Sequence, residues 1–200
     1  MPCWYPNANS RVPYTRTQPP RLQADVVLRD LLELPVEQHF RGTAVHEAAH
    51  AVLLQSLGAT VEWVVVRPYT ELAGDEPAGE NSAVYDMYVG DLLTCLAAGE
   101  RAESRWLGES GLLTPVRAYA VELLAQGDRD MAGNLVRDLL GRELTFGVAV
   151  GEAFDYQSAH DAADAALDRC WPAVIAVADA LVAHRRLDGE QIAALSAHAH

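Results

Sequence analysis

Between Val36 and Leu57 the chain reads VEQHFRGTAVHEAAHAVLLQSL, and the positions flanking its two later histidines are almost entirely apolar. Ala44, Val45, Ala48, Ala49, Ala51, Val52, Leu53 and Leu54 leave no polar stripe, which predicts a helix buried on all sides. Gly58 supplies its stop. The next segment, TVEWVVVR at 60–67, is dense in β-branched and aromatic residues and predicts a strand. A Pro/Gly/Glu-rich loop covers 68–82, and Ser82–Tyr88 is expected as a second short strand pairing with the first. Helical spacing returns at Asp91–Leu107, at Pro115–Gln126 behind an N1 proline, and from Gly127-Asp128 to about Gly141. Residues 142–157 follow neither period. Ser158–Arg186 is helical and Ala-rich, with a kink or split expected at Trp171-Pro172, and Asp188–Ala197 forms a last helix.

Upstream, LQADVVLRDLLEL at 22–34 has helical spacing, and Pro35 either closes that helix or opens the next. Five prolines fall in the first 20 residues, so 1–21 reads as an extended arm, with Trp4, Tyr5 and Tyr14 available to pin it. The expected fold is mostly α with a small β-sheet, in the α+β class. The expected organisation is the arm at 1–21 and one domain at 22–200.

Composition narrows the function. The chain has 200 residues, half of them hydrophobic, and carries 28 acidic against 15 basic residues for a net charge of −13. Every basic residue is Arg and none is Lys, a pattern that coding bias in a GC-rich genome explains. So acidic a chain is repelled by phosphate backbones and anionic lipid, which excludes nucleic acid and membrane surfaces as expected partners. No apolar run approaches the length of a membrane span, and the N-terminus lacks the apolar stretch of a secretory signal. Three cysteines without metal spacing, Cys3, Cys95 and Cys170, read as reduced thiols in a cytoplasmic protein, the last two as small buried hydrophobes.

The segment with chemistry is His46-Glu47-Ala48-Ala49-His50. Histidines four apart on a helix share one face, so both imidazoles can reach one metal ion. Glu47, next to the first ligand, can point at a metal-bound water and take its proton. Zinc in a catalytic site takes three protein ligands and a water. Burying two His and a Glu in so apolar a helix without partners costs several kcal/mol, roughly, and a metal removes that cost. The third ligand is not adjacent. Asp128, Asp130, Glu100 and Glu103 are all candidates, and spacing alone leaves the choice open. His39, His160, His184, His198 and His200 read as structural or solvated, and Trp63, Trp106 and Trp171 as core.

GTAVHEAAHAVLLQSLGATVEWVVVRP resembles the metal-binding helix and following strand of the FtsH-type zinc metallopeptidases, which read HEAGHA there. LLTCLAAGERAESRWLG is similar to that family's LLAGRAAEE helix. GDRDMAGNLVRDL is similar to its segment of Asp, three residues and Ala, and LVAHRRLDGEQIAALSA to its closing pattern. The matches run in order over about residues 40–197. The resemblance implies a helical zincin domain with His46, His50 and Asp128 on zinc and Glu47 as general base. It implies a polypeptide substrate added as a strand along Ser82–Tyr88. The chain departs from the family in Ala49, where Gly is usual, and in lacking the membrane spans and ATPase module; without Lys, a Walker-type ATP site is impossible. The expectation is therefore an ATP-independent zinc peptidase, served by a separate ATPase or acting on flexible chains. The alternative is a weakly active or inactive zinc-binding regulatory module.

Overall fold

The structure is a computed structural model that describes residues 4–7, 13–21, 28–73 and 76–198. Among the described residues there are six α-helices: α1 (Val36–Ser56), α2 (Val89–Glu109), α3 (Pro115–Leu124), α4 (Gln126–Leu140), α5 (Tyr156–His184) and α6 (Gly189–His198). Five strands accompany them: β1 (Tyr5–Pro6), β2 (Tyr14–Thr15), β3 (Thr60–Val66), β4 (Gly79–Val84) and β5 (Arg186–Asp188). β1 pairs with β2, and a separate antiparallel sheet has the order β4-β3-β5. The α+β expectation holds. Among the described residues no helix is long and apolar enough to cross a membrane.

The all-apolar pattern of α1 has its expected consequence. Ala44, Val45, Ala48, Ala49 and Ala51 are fully buried, and α1 packs on α2, α5 and the sheet. The small side chains let these elements approach α1 closely, which brings α2 and β4 up to its histidine face.

Three boundaries differ from expectation. The second strand is Gly79–Val84, not Ser82–Tyr88. Its last partner is Thr60, opposite Val84, and β3 begins there, so Tyr85–Tyr88 have no strand to pair with. Of the helix expected at 22–34, residues 22–27 lie outside the described residues, and the remainder forms only a 3-10 turn, Leu28–Leu32. Pro35 disfavours helical backbone at Leu34, and the Arg117 guanidinium takes the carbonyls of Leu32 and Glu33 at 2.6 and 3.0 Å. Finally, α5 runs unbroken through Pro172. Trp171 is held there, under the Arg105 guanidinium and donating to Glu109 at 2.9 Å. Trp63, Trp106 and Trp171 are partly rather than fully buried, as is Cys170; Cys95 is buried.

The described parts of the arm are docked. The Trp4 ring packs on Phe146, Tyr156 and His160, and its Nε1 donates to Gln157 at 3.0 Å. Tyr14 packs on Phe146.

Candidate metal centre

His46 and His50 lie one turn apart on α1, and the fold brings Asp128 of α4 to them across 78 residues of chain. One donor atom from each of the three lies within 4.8 Å of the others. Asp128 Oδ2 stands 3.0 Å from His46 Nε2 and 3.4 Å from His50 Nε2. α4 begins at Gln126, and Asp128 sits inside the first turn with its carboxylate turned to α1.

The far side of each imidazole is held as well. His50 Nδ1 lies 2.7 Å from the Cys95 carbonyl oxygen, which can only accept, so Nδ1 carries the hydrogen. Nε2 then presents a lone pair toward Asp128, and this buried atom has no hydrogen-bond partner. His46 Nδ1 faces Glu103 Oε2 at 3.5 Å, leaving its Nε2 toward the Asp128 carboxylate. Two nitrogen lone pairs and a carboxylate facing one another repel unless a proton or metal cation sits among them. Carbonyl and carboxylate partners behind ligating histidines are also how metal sites fix ring orientation and tautomer. The residues therefore fit a divalent cation, and His46, His50 and Asp128 form a group that could hold a metal ion.

Proton affinities follow the same cluster. Burial opposes the His46 imidazolium, but hydrogen bonds to Asp128 and Glu103 outweigh it and raise its pKa well above the ordinary value. Burial likewise opposes a charged His50, and the Asp128 charge overrides it to raise the pKa. Burial pushes Asp128 up, yet the two imidazoles hold it well below the usual carboxylate range.

Glu47 lies beside the triad, buried, with its carboxyl raised by that burial against the lowering pull of His46 and His50. Asn81 of β4 donates its Nδ2 to Glu47 Oε2. Gly79, two residues earlier, lies so close that any Cβ there would overlap the Glu47 side chain. β4 therefore sits directly on the acid. The cleft opens on both sides of Glu47 and Asp128. A cavity of about 320 Å³ includes His39, Tyr69, Glu76 and Glu103, and another of about 370 Å³ includes Leu54, Leu92, Tyr85 and Met131.

The other ligand candidates go elsewhere. Asp130 is exposed and accepts from Gln126 at 3.3 Å. Glu100 is buried against Arg129 at 2.7 Å. Glu103 stands behind His46 rather than in the triad. Asn81, Gly79, Gly99 and Arg129 were not singled out by sequence reasoning. The small-residue run Ala97-Ala98-Gly99 was the available signal that a bulky neighbour packs there. No protein-family model matches this chain, and no curated protein matches it.

Proposed function

We propose that the chain is a zinc-dependent metallopeptidase of the FtsH type, cleaving flexible polypeptides without ATP of its own. The observation that carries this reading is the joint placement of His46, His50 and Asp128 with the Glu47 carboxylate on the open cleft beside a sheet edge. Zinc fits a donor set of two imidazoles and a carboxylate, and when bound it supplies Lewis acidity that lowers a water pKa to about 7. Glu47 takes a proton from the attacking water and returns it to the leaving amine. Its raised pKa suits both halves of that task, since a stronger acid would hold the proton too weakly. Asn81 fixes the rotamer of Glu47 and leaves one carboxylate oxygen for the transfer.

The substrate reading is supported by β4, which lies at the edge of its sheet and ends in exposed Val84, followed by exposed Tyr85. An extended peptide adding to that edge runs past Glu47 through main-chain hydrogen bonds. A separate ATPase would be needed for folded substrates.

Zinc content and cleavage of an unfolded casein-like substrate test the reading together. The expected result is one zinc per chain in wild type and in Glu47→Gln, with cleavage by the variant reduced about 10²- to 10⁴-fold. Equal rates in the two zinc-loaded proteins would overturn the peptidase reading and favour a non-catalytic metal-binding module.

A further inference from the structure

Arg129 follows Asp128 in sequence, yet its side chain turns away from the triad into the protein. It is almost fully buried, and every polar atom of its guanidinium is engaged. Nε and Nη2 donate to Glu100 Oε2 at 3.1 and 2.7 Å, Nη2 also to Glu122 Oε2 at 3.2 Å, and Nη1 to the Tyr14 carbonyl at 2.6 Å. Glu100 in turn follows Gly99, the residue of α2 whose Cα faces both imidazole Nε2 atoms. One ion pair thus ties the turn that carries Asp128 to the turn that abuts His46 and His50. α4 has no side-chain cap at its start, so this pair does the work of fixing its first turn.

The amino-terminal segment completes that network from outside. Glu122 accepts the backbone N–H groups of Arg16 at 2.6 Å and Thr17 at 2.8 Å. The Tyr14 carbonyl is the only described partner of Arg129 Nη1. Arg16 Nη1 lies 3.1 Å from His160 Nδ1, and the Trp4 ring covers Arg129 at 5.7 Å from its guanidinium carbon. If the segment leaves, two buried carboxylate oxygens and a guanidinium nitrogen lose main-chain partners, and buried charges so deprived rearrange or hydrate.

We propose that the amino-terminal segment is a positioning strap: docked through Trp4 and Tyr14–Thr17, it locks Arg129 onto Glu100 and thereby sets Asp128 against the two histidines. Arg129 and Glu100 are positioning residues, acting on the metal through Asp128 and the His46/His50 pair. The proposal rests on the metal reading of the site but not on catalysis.

The test is cobalt(II) binding to the full chain, read as a dissociation constant by chelator competition and as the visible absorption of the bound ion. Three variants are compared with wild type: Trp4→Ala, which loosens the strap and uncovers Arg129 but removes none of the network's hydrogen-bonding groups; Arg129→Lys, which keeps the charge but loses the fork; and Arg101→Lys. Arg101 also donates through Nε and Nη2, to the two carboxylate oxygens of Asp164 at 2.7 and 3.0 Å, but between α2 and α5. Trp4→Ala and Arg129→Lys are expected to weaken cobalt binding about 10- to 100-fold and alter its absorption, as changes behind first ligands do. Arg101→Lys is expected to lower the melting temperature with binding unchanged. Should Trp4→Ala not fold, Trp4→Phe, which keeps the ring but loses the bond to Gln157, carries the comparison. Variants that bind cobalt like wild type while melting earlier would overturn the strap and leave the metal site standing. A wild type that binds no cobalt would overturn the metal reading itself, and the strap with it.

Discussion

Gly99 presents only hydrogen to His46 Nε2 and His50 Nε2, and a methyl group there would overlap both atoms. Neither imidazole can retreat, because Nδ1 of each is held from behind by Glu103 or by the Cys95 carbonyl. If the triad holds zinc as proposed, Gly99→Ala should therefore abolish its binding rather than shift the rings. The expected outcome is loss of zinc from the purified variant with the far-UV circular dichroism of wild type. A variant that retains one zinc per chain would show that the rings have another place to go. The same pair of residues explains how far the site could be read from sequence. His46, Glu47 and His50 are legible because one helical turn fixes their geometry. Asp128 was one candidate among four carboxylates, since a contact across 78 residues leaves no spacing rule. Gly99 and Asn81 were invisible, because each matters through what it approaches and not through its own chemistry.

At the scale of elements, residues 142–157 show why periodicity can fail in an ordered segment. They are arranged around one carboxylate. Asp155 caps α5 by accepting from the Gln157 N–H at 3.0 Å, and also accepts from the N–H groups of Gly147, Val148 and Ala149 at 2.8–3.1 Å and from the Thr145 hydroxyl at 2.7 Å. A segment organised by hydrogen bonds to one side chain carries neither a 3.6- nor a 2-residue repeat. Asp155→Ala strands four N–H donors together, so it should destabilise by about 2–4 kcal/mol, more than an ordinary cap alone. The check is a lower denaturant midpoint at unchanged m-value; a loss under about 1 kcal/mol would mean that solvent replaces the carboxylate freely. By contrast α1 and β3 were readable to within a residue. The second half of α1 is buried on almost every side, and β3 turns Val61, Val64 and Val66 into the core, so each carries a dense apolar run that its own residues spell out. β4 was displaced because its limit is set by where β3 begins, which its own residues do not encode.

For the molecule as a whole, the buried charge network beneath the candidate metal centre makes stability depend on pH in a direction that can be worked out. His160 is fully buried, with Arg16 at its Nδ1. Burial, reinforced by the positive charges of Arg129, Arg101 and Arg16, holds its pKa well below the ordinary value. The folded chain therefore keeps His160 neutral where the unfolded chain, with a pKa near 6.5, takes up a proton. The unfolded state binds more protons, so stability rises with pH across that window. Its contribution is whole above about pH 6.5 and is lost as pH falls from there toward the folded value, by at most about 1.4 kcal/mol per pH unit. His46 and His50 have raised pKa values and act with the opposite sign in metal-free protein, gaining stability below their unfolded values and losing it as pH rises through the folded ones. The two effects separate by comparing wild type with His160→Gln, both loaded with zinc, in denaturant melts between pH 5 and pH 8. The expected outcome is that wild type loses stability relative to the variant as pH drops from about 6.5. Parallel curves would mean that His160 titrates alike in both states, and that the network around Arg129 tolerates a further buried charge.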